Sequence, residues 1–237
     1  MAKEIIDYEV GRGTRIYCAP AHDCSYVAPE EVSFSATAAI AVNATSIAIT
    51  ASTNTKTILA PIWVKFVDSV TGKASTVKVT SDIAPGSTTL TVAPVKFSIP
   101  SGSDAEYPCR LGGRNSANLS TQDENVESED FDNDGWKAFE FTALGYNLSA
   151  NGNYLPTDPG WQTCHYTRYA FADGGSGKVY LKIVFPKPGC GDVFTAGDTY
   201  EGFAVITSMP IEATPKGLIS GNIEFSFTGP VSYTPAA

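Results

Sequence analysis

Histidine is nearly absent from these 237 residues, with only His22 and His165, and methionine is as rare. Leucine is scarce too, while threonine, serine, valine, alanine and glycine abound, a balance that favours strands and turns over helices. No apolar run approaches the roughly 20 residues that a membrane-spanning helix needs. The opening MAKEIIDYEV lacks the charged-then-apolar order of a secretory signal, so assembly in a cytoplasm is expected. On that expectation the acceptor-like triplets starting at Asn43, Asn118 and Asn147 are chance matches. No GxSxG, HExxH or Walker-type run occurs, and the lone GxG of Gly11 and Gly13 is followed by no helix. Cys164 and His165 are adjacent on a predicted helix, where neighbours point about 100° apart, so they cannot face each other as nucleophile and base. An enzyme is therefore not expected, and neither is a cofactor. The five cysteines, Cys18, Cys24, Cys109, Cys164 and Cys190, contain no CxxC and fit no zinc framework. Their odd number and a cytoplasmic origin favour buried free thiols over a Cys18–Cys24 pair around a short loop. Basic residues are scattered rather than gathered in a stripe, and the net charge is −9. Such a chain repels phosphates instead of gripping them.

What the chain does contain is organised around its C-terminal third, 158–233. Asp158 can cap a helix and Pro159 suits the first helical position, whose N–H would have no partner. Trp161, Cys164, Phe171 and Ala172 then recur on one side, and Gly174-Gly175 ends the run, which predicts a helix over about 158–173. Strict alternation follows, with Val179, Leu181, Ile183 and Phe185 on one face and Lys178, Tyr180 and Lys182 on the other. Strand-like runs at 200–211 and 218–233 complete the unit.

Upstream, 1–32 reads as an N-terminal arm with a short strand at 15–18. Segment 33–107 reads as an inserted, threonine-rich small β module, with strand signals at 45–51, 62–68, 75–80, 88–92 and 95–99 and a linker at 98–104. It contains an echo: Thr45 to Thr50 resembles Thr88 to Val92, and Ala60-Pro61 resembles Ala93-Pro94. Residues 108–135 read as a polar connection. Within it, 123–134 is DENVESEDFDND, seven carboxylates in twelve residues. Asp130, Asp132, Asp134 and Gly135 match the first half of a calcium loop, but its closing glutamate would fall on Phe141, with Glu140 one place early. The run is therefore read as a solvated acidic turn, and no metal is expected. Residues 136–154 read as a strand pair or one bent strand, ending at the turn signal Asn151-Gly152-Asn153.

Taken in order, several stretches resemble the tail tube (major tail) proteins of long-tailed bacteriophages. Gly11-Arg12-Gly13-Thr14 is similar to that family's opening. Val126-Glu127, Phe131-Asp132 and Gly135-Trp136-Lys137 resemble its acidic turn ending in a Gly-Trp-Lys-like element. Tyr146 and Leu148 to Gly152 follow, then the aspartate-led helix, then three strands at 178–185, 200–209 and 217–229. The resemblance covers roughly 8–20 and 108–234, and module 33–107 departs from the shortest members.

The resemblance implies a mainly β fold: two packed antiparallel sheets, a sandwich or partial barrel, flanked by one helix and carrying the inserted module. It implies a virion structural protein without chemistry of its own, forming homohexameric rings that stack into the hollow tail tube through which DNA is delivered. The implied partners are further copies of itself, the tape-measure protein, the tail terminator, baseplate or tail-tip proteins and, in contractile tails, a sheath. DNA passes non-specifically and no membrane is involved. The implied location is the virion tail, assembled in the host cytoplasm. Candidate lumen carboxylates, on or beside predicted strands, are Glu140, Glu201, Glu212 and Glu224; candidates for an inter-subunit strand and arm are Arg12, Phe203 and Val205. Other readings are a capsid decoration or head–tail joining protein, or a carbohydrate-binding module that uses the threonine-rich segment.

Overall fold

The structure, a computed structural model, describes residues 13–22, 26–128, 138–170, 176–187, 194–213 and 219–236, with the backbone alone for 122–128 and 138–144. In chain order its strands are β1 (Arg15–Pro20), β2 (Val32–Ser35), β3 (Ser46–Ala48), β4 (Ile62–Val67), β5 (Ala74–Val79), β6 (Thr89–Thr91), β7 (Asp104–Tyr107), β8 (Cys109–Arg110), β9 (Arg114–Ser128) and β10 (Ala138–Gly152). After helix α1 (Pro159–Ala170) come β11 (Lys178–Pro186), β12 (Ala196–Ser208), β13 (Ile211–Glu212), β14 (Ser220–Gly221), β15 (Ile223–Phe227) and β16 (Ser232–Thr234). The architecture is mainly β with one helix, as expected. All strand pairs are antiparallel, in an eight-stranded sheet of order β8-β1-β11-β12-β15-β10-β9, a four-stranded sheet β2-β7-β4-β5 and the pairs β3-β6 and β13-β14. β16 joins the large sheet through β12.

The alternation in β11 decides how the large sheet is covered. Val179, Leu181 and Ile183 are fully buried and share a core with Ile16, Cys18, Ala204, Phe225 and the helix residues Trp161 and Cys164. Each such aliphatic burial stabilises by about 1.5–3 kcal/mol relative to exposure. Tyr180 points to the other face, where it and Phe203 join the core of the four-stranded sheet, around Phe34, Phe66, Ile47 and Leu90. The large sheet is thus packed by α1 on one face and by the second sheet on the other. In that second core the two echoing segments turn out to be partners: β3 pairs with β6, Ile47 opposite Leu90. Single bridges Ala36–Ile49 and Val79–Val92 join this pair to the edges of the four-stranded sheet.

Helix α1 forms where its cap signal lies. Asp158 Oδ2 accepts the Trp161 N–H at 2.9 Å and the Gly112 N–H at 3.1 Å, tying the helix start to the β8–β9 corner. Burial pushes the Asp158 carboxyl above its ordinary range, against the two N–H bonds and nearby Lys65 and Arg114. The helix rests closely on β1 and β8: a Cβ added to Gly160 would stand 2.5 Å from Leu111 Cα. Free thiols Cys18, Cys109 and Cys164 fill this contact, with Cys18 Sγ 3.9 Å from Cys109 Sγ. The sulfur neighbours Cys109 and Cys164, together with burial, hold the Cys18 thiol well above its usual range. Cys24 and Cys190 lie outside the described residues.

Three segments differ from their expected form. Residues 114–128, read as polar connection, are the fifteen-residue strand β9, paired with β10 along its length. Its small polar residues hide the period-two pattern, since only Ala117 and Leu119 mark its half-buried side. Segment 95–99 forms no strand; it contributes the bridge Ile40–Ile99 instead. The expected linker at 98–104 runs into β7, whose Ala105 and Tyr107 are buried.

Two outcomes test this packing. Gly160→Ala should destabilise the chain by about 1–3 kcal/mol despite the better helix propensity of alanine, because the clash is with backbone; urea unfolding reads it directly. Asp158→Asn should keep the helix, since one oxygen accepts both N–H bonds. A carboxyl raised in the folded state contributes stability at low pH that fades as pH rises through the raised value. The stability of Asp158→Asn relative to the parent should therefore climb with pH over that window, and a pH series of urea melts would show it.

Candidate subunit interface and polar sheet face

The register places side chains of the large sheet on two chemically different faces, since directly paired residues point the same way. The β15-β10-β9 end has one apolar face, with Phe225, Leu148 and Leu119 in line and packed in the same core as Trp161. Its opposite face carries Glu224 and Ser226 from β15, Asn147, Ser149 and Asn151 from β10, and Ser116, Asn118 and Ser120 from β9. Ser116, Asn118, Ser120, Asn151 and Glu224 are exposed, and the rest are half-buried. Among the described side chains this patch is made of hydroxyls, amides and one carboxylate, with no cation. The nearest arginine, Arg114, turns elsewhere: its guanidinium donates to the carbonyls of Gly221, Asn153 and Ala150 and lies 5.7 Å from the Trp161 ring.

The same end of the sheet is open. β9 is the terminal strand, and its outer edge has no partner strand among the described residues. β15 pairs with β10 only over Asn147 to Ala150, whereas β9 continues with β10 as far as Ala138. Beyond Asn147 the two strands form a ribbon with no partner strand on either edge among the described residues. Two strands alone are marginal in water, and a long bare edge invites another chain.

The candidate residues scatter over this frame. Glu224 is exposed on the polar face. Glu201 is on the same side of the sheet but at its covered end, where its carboxylate accepts the Tyr180 hydroxyl at 2.8 Å and lies 3.8 Å from Lys182 Nζ. Glu31, from just before β2, also pairs with Lys182. Burial would lower the Lys182 ammonium, but the two carboxylates outweigh it and raise the group. Glu201 is thus occupied within its own sheet, and the Lys182–Glu31 ion pair is the contact that crosses to the second sheet. Glu212 is exposed on the short strand β13, away from the polar patch. Glu140 lies on β10 opposite Val126, with its side chain outside the described set. Phe203 is 6% exposed and packs edge-on against Tyr26 and Tyr180 at 5.7 and 5.6 Å, and Val205 is half-buried beside it. Both stand on β12, an interior strand whose backbone is paired with β11 and β15. The strand with a free edge is β9, not β12. Arg12 and the calcium-like Asp130, Asp132 and Asp134 lie outside the described residues.

Cys164 and His165 diverge as their adjacency requires: Cys164 is fully buried, and His165 is exposed 4.5 Å from the Tyr169 ring. Among the described residues no group of three or more His, Cys, Asp or Glu is placed to hold a metal, and no helix is long and apolar enough to cross a membrane. Two hollows adjoin the α1 start. The larger, about 700 Å³, mixes Lys65 and Arg110 with Asp68, Asp104 and Glu106. The other, about 560 Å³, is lined by Trp63, Lys65, Lys78, Lys96, Phe97 and Leu155. The sequence had no signal for this second site, because its lysines are 13 and 18 residues apart and meet only through the β4–β5 pairing and the fold of the loop that carries Lys96.

No protein-family model and no curated protein matches this chain. Among solved structures it is similar to a chain in the virion of a native gene transfer agent particle, with 20% identity and a TM-score of 0.39 over 52% of this chain and 86% of that one. It is similar to a chain in the tail of an empty gene transfer agent particle with C6 symmetry, with 19% identity and a TM-score of 0.40 over 52% and 82%. A chain of the six-fold symmetrised anti-feeding prophage baseplate gives 8% identity and a TM-score of 0.42 over 75% and 95%. At these identities and TM-scores the likenesses assign neither a family nor an activity.

Proposed function

We propose that this chain is a tail tube protein of a long-tailed bacterial virus, a structural subunit whose copies close into hexameric rings and stack into a DNA-conducting tube. The observation that carries the reading is the open end of the large sheet, where a fifteen-residue edge strand borders a cation-free polar face. Pairing of β9 with a neighbouring copy removes the bare edge, and a head-to-tail contact that closes gives a ring. A face of serine, asparagine and glutamate then turned to the bore offers DNA phosphates no counter-charge, so the polymer slides. The ordered sequence resemblance supports the same reading. Within it the chain is non-enzymatic, and its partners are its own copies, a tape-measure protein and the proteins that terminate the tube.

Electron microscopy of the purified protein should show tubes with sixfold end views; a protein that stays monomeric at high concentration would overturn the reading. The bore-facing assignment has its own test. Asn118→Arg with Ser149→Arg puts two cations on the polar face, and the assembled variant should bind DNA at low salt at least about tenfold more tightly than the parent. Unchanged DNA binding would remove this face from the bore.

A further inference from the structure

The 560 Å³ cleft concentrates positive charge in a chain of net charge −9. Its floor is the outer face of β4 and β5. The register sets Trp63 opposite Lys78 and Lys65 opposite Thr76, while Val64, Phe66, Val77 and Val79 point into the core. Trp63 is held from the side by Tyr166 of α1 at 5.1 Å, and Lys78 Nζ lies 5.3 Å from the indole. Lys96 and Phe97 form one wall, and Leu155 with Gly113 forms the other. The one carboxylate in the lining is Asp158, which is buried and already accepts two N–H bonds. The Lys78 and Lys96 ammonium groups beside aromatic and aliphatic surface suit a ligand that combines carboxylates with an apolar side chain.

This chain carries such a segment. Asp123, Glu124 and Glu127 stand near the far end of β9, and the sequence adds Glu129, Asp130, Asp132 and Asp134, with Val126 and Phe131 between them. The β9 positions of this segment stand far from the cleft of their own chain. Gly113 and Asn153, which line the cleft, are the base of the β9–β10 ribbon, and at ~3.3 Å per residue Asp123 to Glu127 stand roughly 30–45 Å away along a paired strand. A receptor at the base of the ribbon and a ligand near its end describe a contact between successive copies. Such a contact is heterologous and passes from one copy to the next.

The geometry points to the Lys65–Lys78–Lys96 cleft as the docking site for the acidic β9–β10 ribbon of a second copy of this chain. This builds on the proposed self-assembly and names one of its contacts. Carbodiimide cross-linking of an equal mixture of ¹⁴N- and ¹⁵N-labelled full-length protein, read by mass spectrometry, tests it. Links from Lys78 or Lys96 to Glu124 or Glu127 are expected, carrying both labels. Absence of these links, or links carrying one label only, overturns the contact.

Charge reversal supplies the second measurement. Lys78→Glu with Lys96→Glu should lower the sedimenting fraction at least about tenfold while leaving the circular dichroism spectrum unchanged. Mixing that variant with Glu124→Lys/Glu127→Lys protein should restore the sedimenting fraction, and failure to restore it counts against the contact. Tubes without the links would overturn this docking site but leave the tube reading. Mixed-label links without tubes would overturn the tube reading but leave the site.

Discussion

Burial of both faces of β11 and β12 is the constraint on which the rest of the chain depends. One face of this strand pair packs Val179, Leu181, Ile183 and Ala204 under α1. The other sends Tyr180 and Phe203 into the core of the four-stranded sheet. Losing either cover would expose apolar surface across the middle of the sheet. That explains why the contacts around it are redundant: the Asp158 cap, the close seat of Gly160, and the Tyr180–Glu201–Lys182–Glu31 cluster all act on this pair.

Because the cover by the four-stranded sheet stops at β12, the sheet changes character along its width. At the β8-β1-β11-β12 end it is an interior layer. At the β15-β10-β9 end one face is polar and open, and the terminal strand is bare. Among the described residues the sheet is thus buried at one end and bordered by an unpartnered strand at the other. Charge is divided too: lysines collect in the cleft beside the ribbon base, and acidic positions follow one another toward the far end of β9.

Much of the C-terminal third was legible from residue order. The Asp158-Pro159 start and the alternation of β11 are local signals, and they describe elements that form, whereas the Gly174-Gly175 stop lies outside the described residues. β9 was not legible. Asn, Ser, Thr and Gln at successive positions look like a loop, and only pairing with β10 makes them a strand. The candidate site was legible in part. Glu224 could be placed on a strand, but Glu201 has the same local context and is occupied by Tyr180 and Lys182. Phe203 and Val205 read as an edge strand because strand order in a sheet is not a local property.

By itself, the sequence determined the helix and its cap, the alternating strand β11, the acidic balance and the scarcity of histidine, because each depends on composition or on side chains within a few positions of one another. The tertiary structure alone decided which strand is interior and which is bare, which carboxylate is exposed and which is spent, and that Lys65, Lys78 and Lys96 share one cleft. Those outcomes depend on pairing between residues far apart in the chain, where hydrogen-bond register, not composition, sets the neighbours.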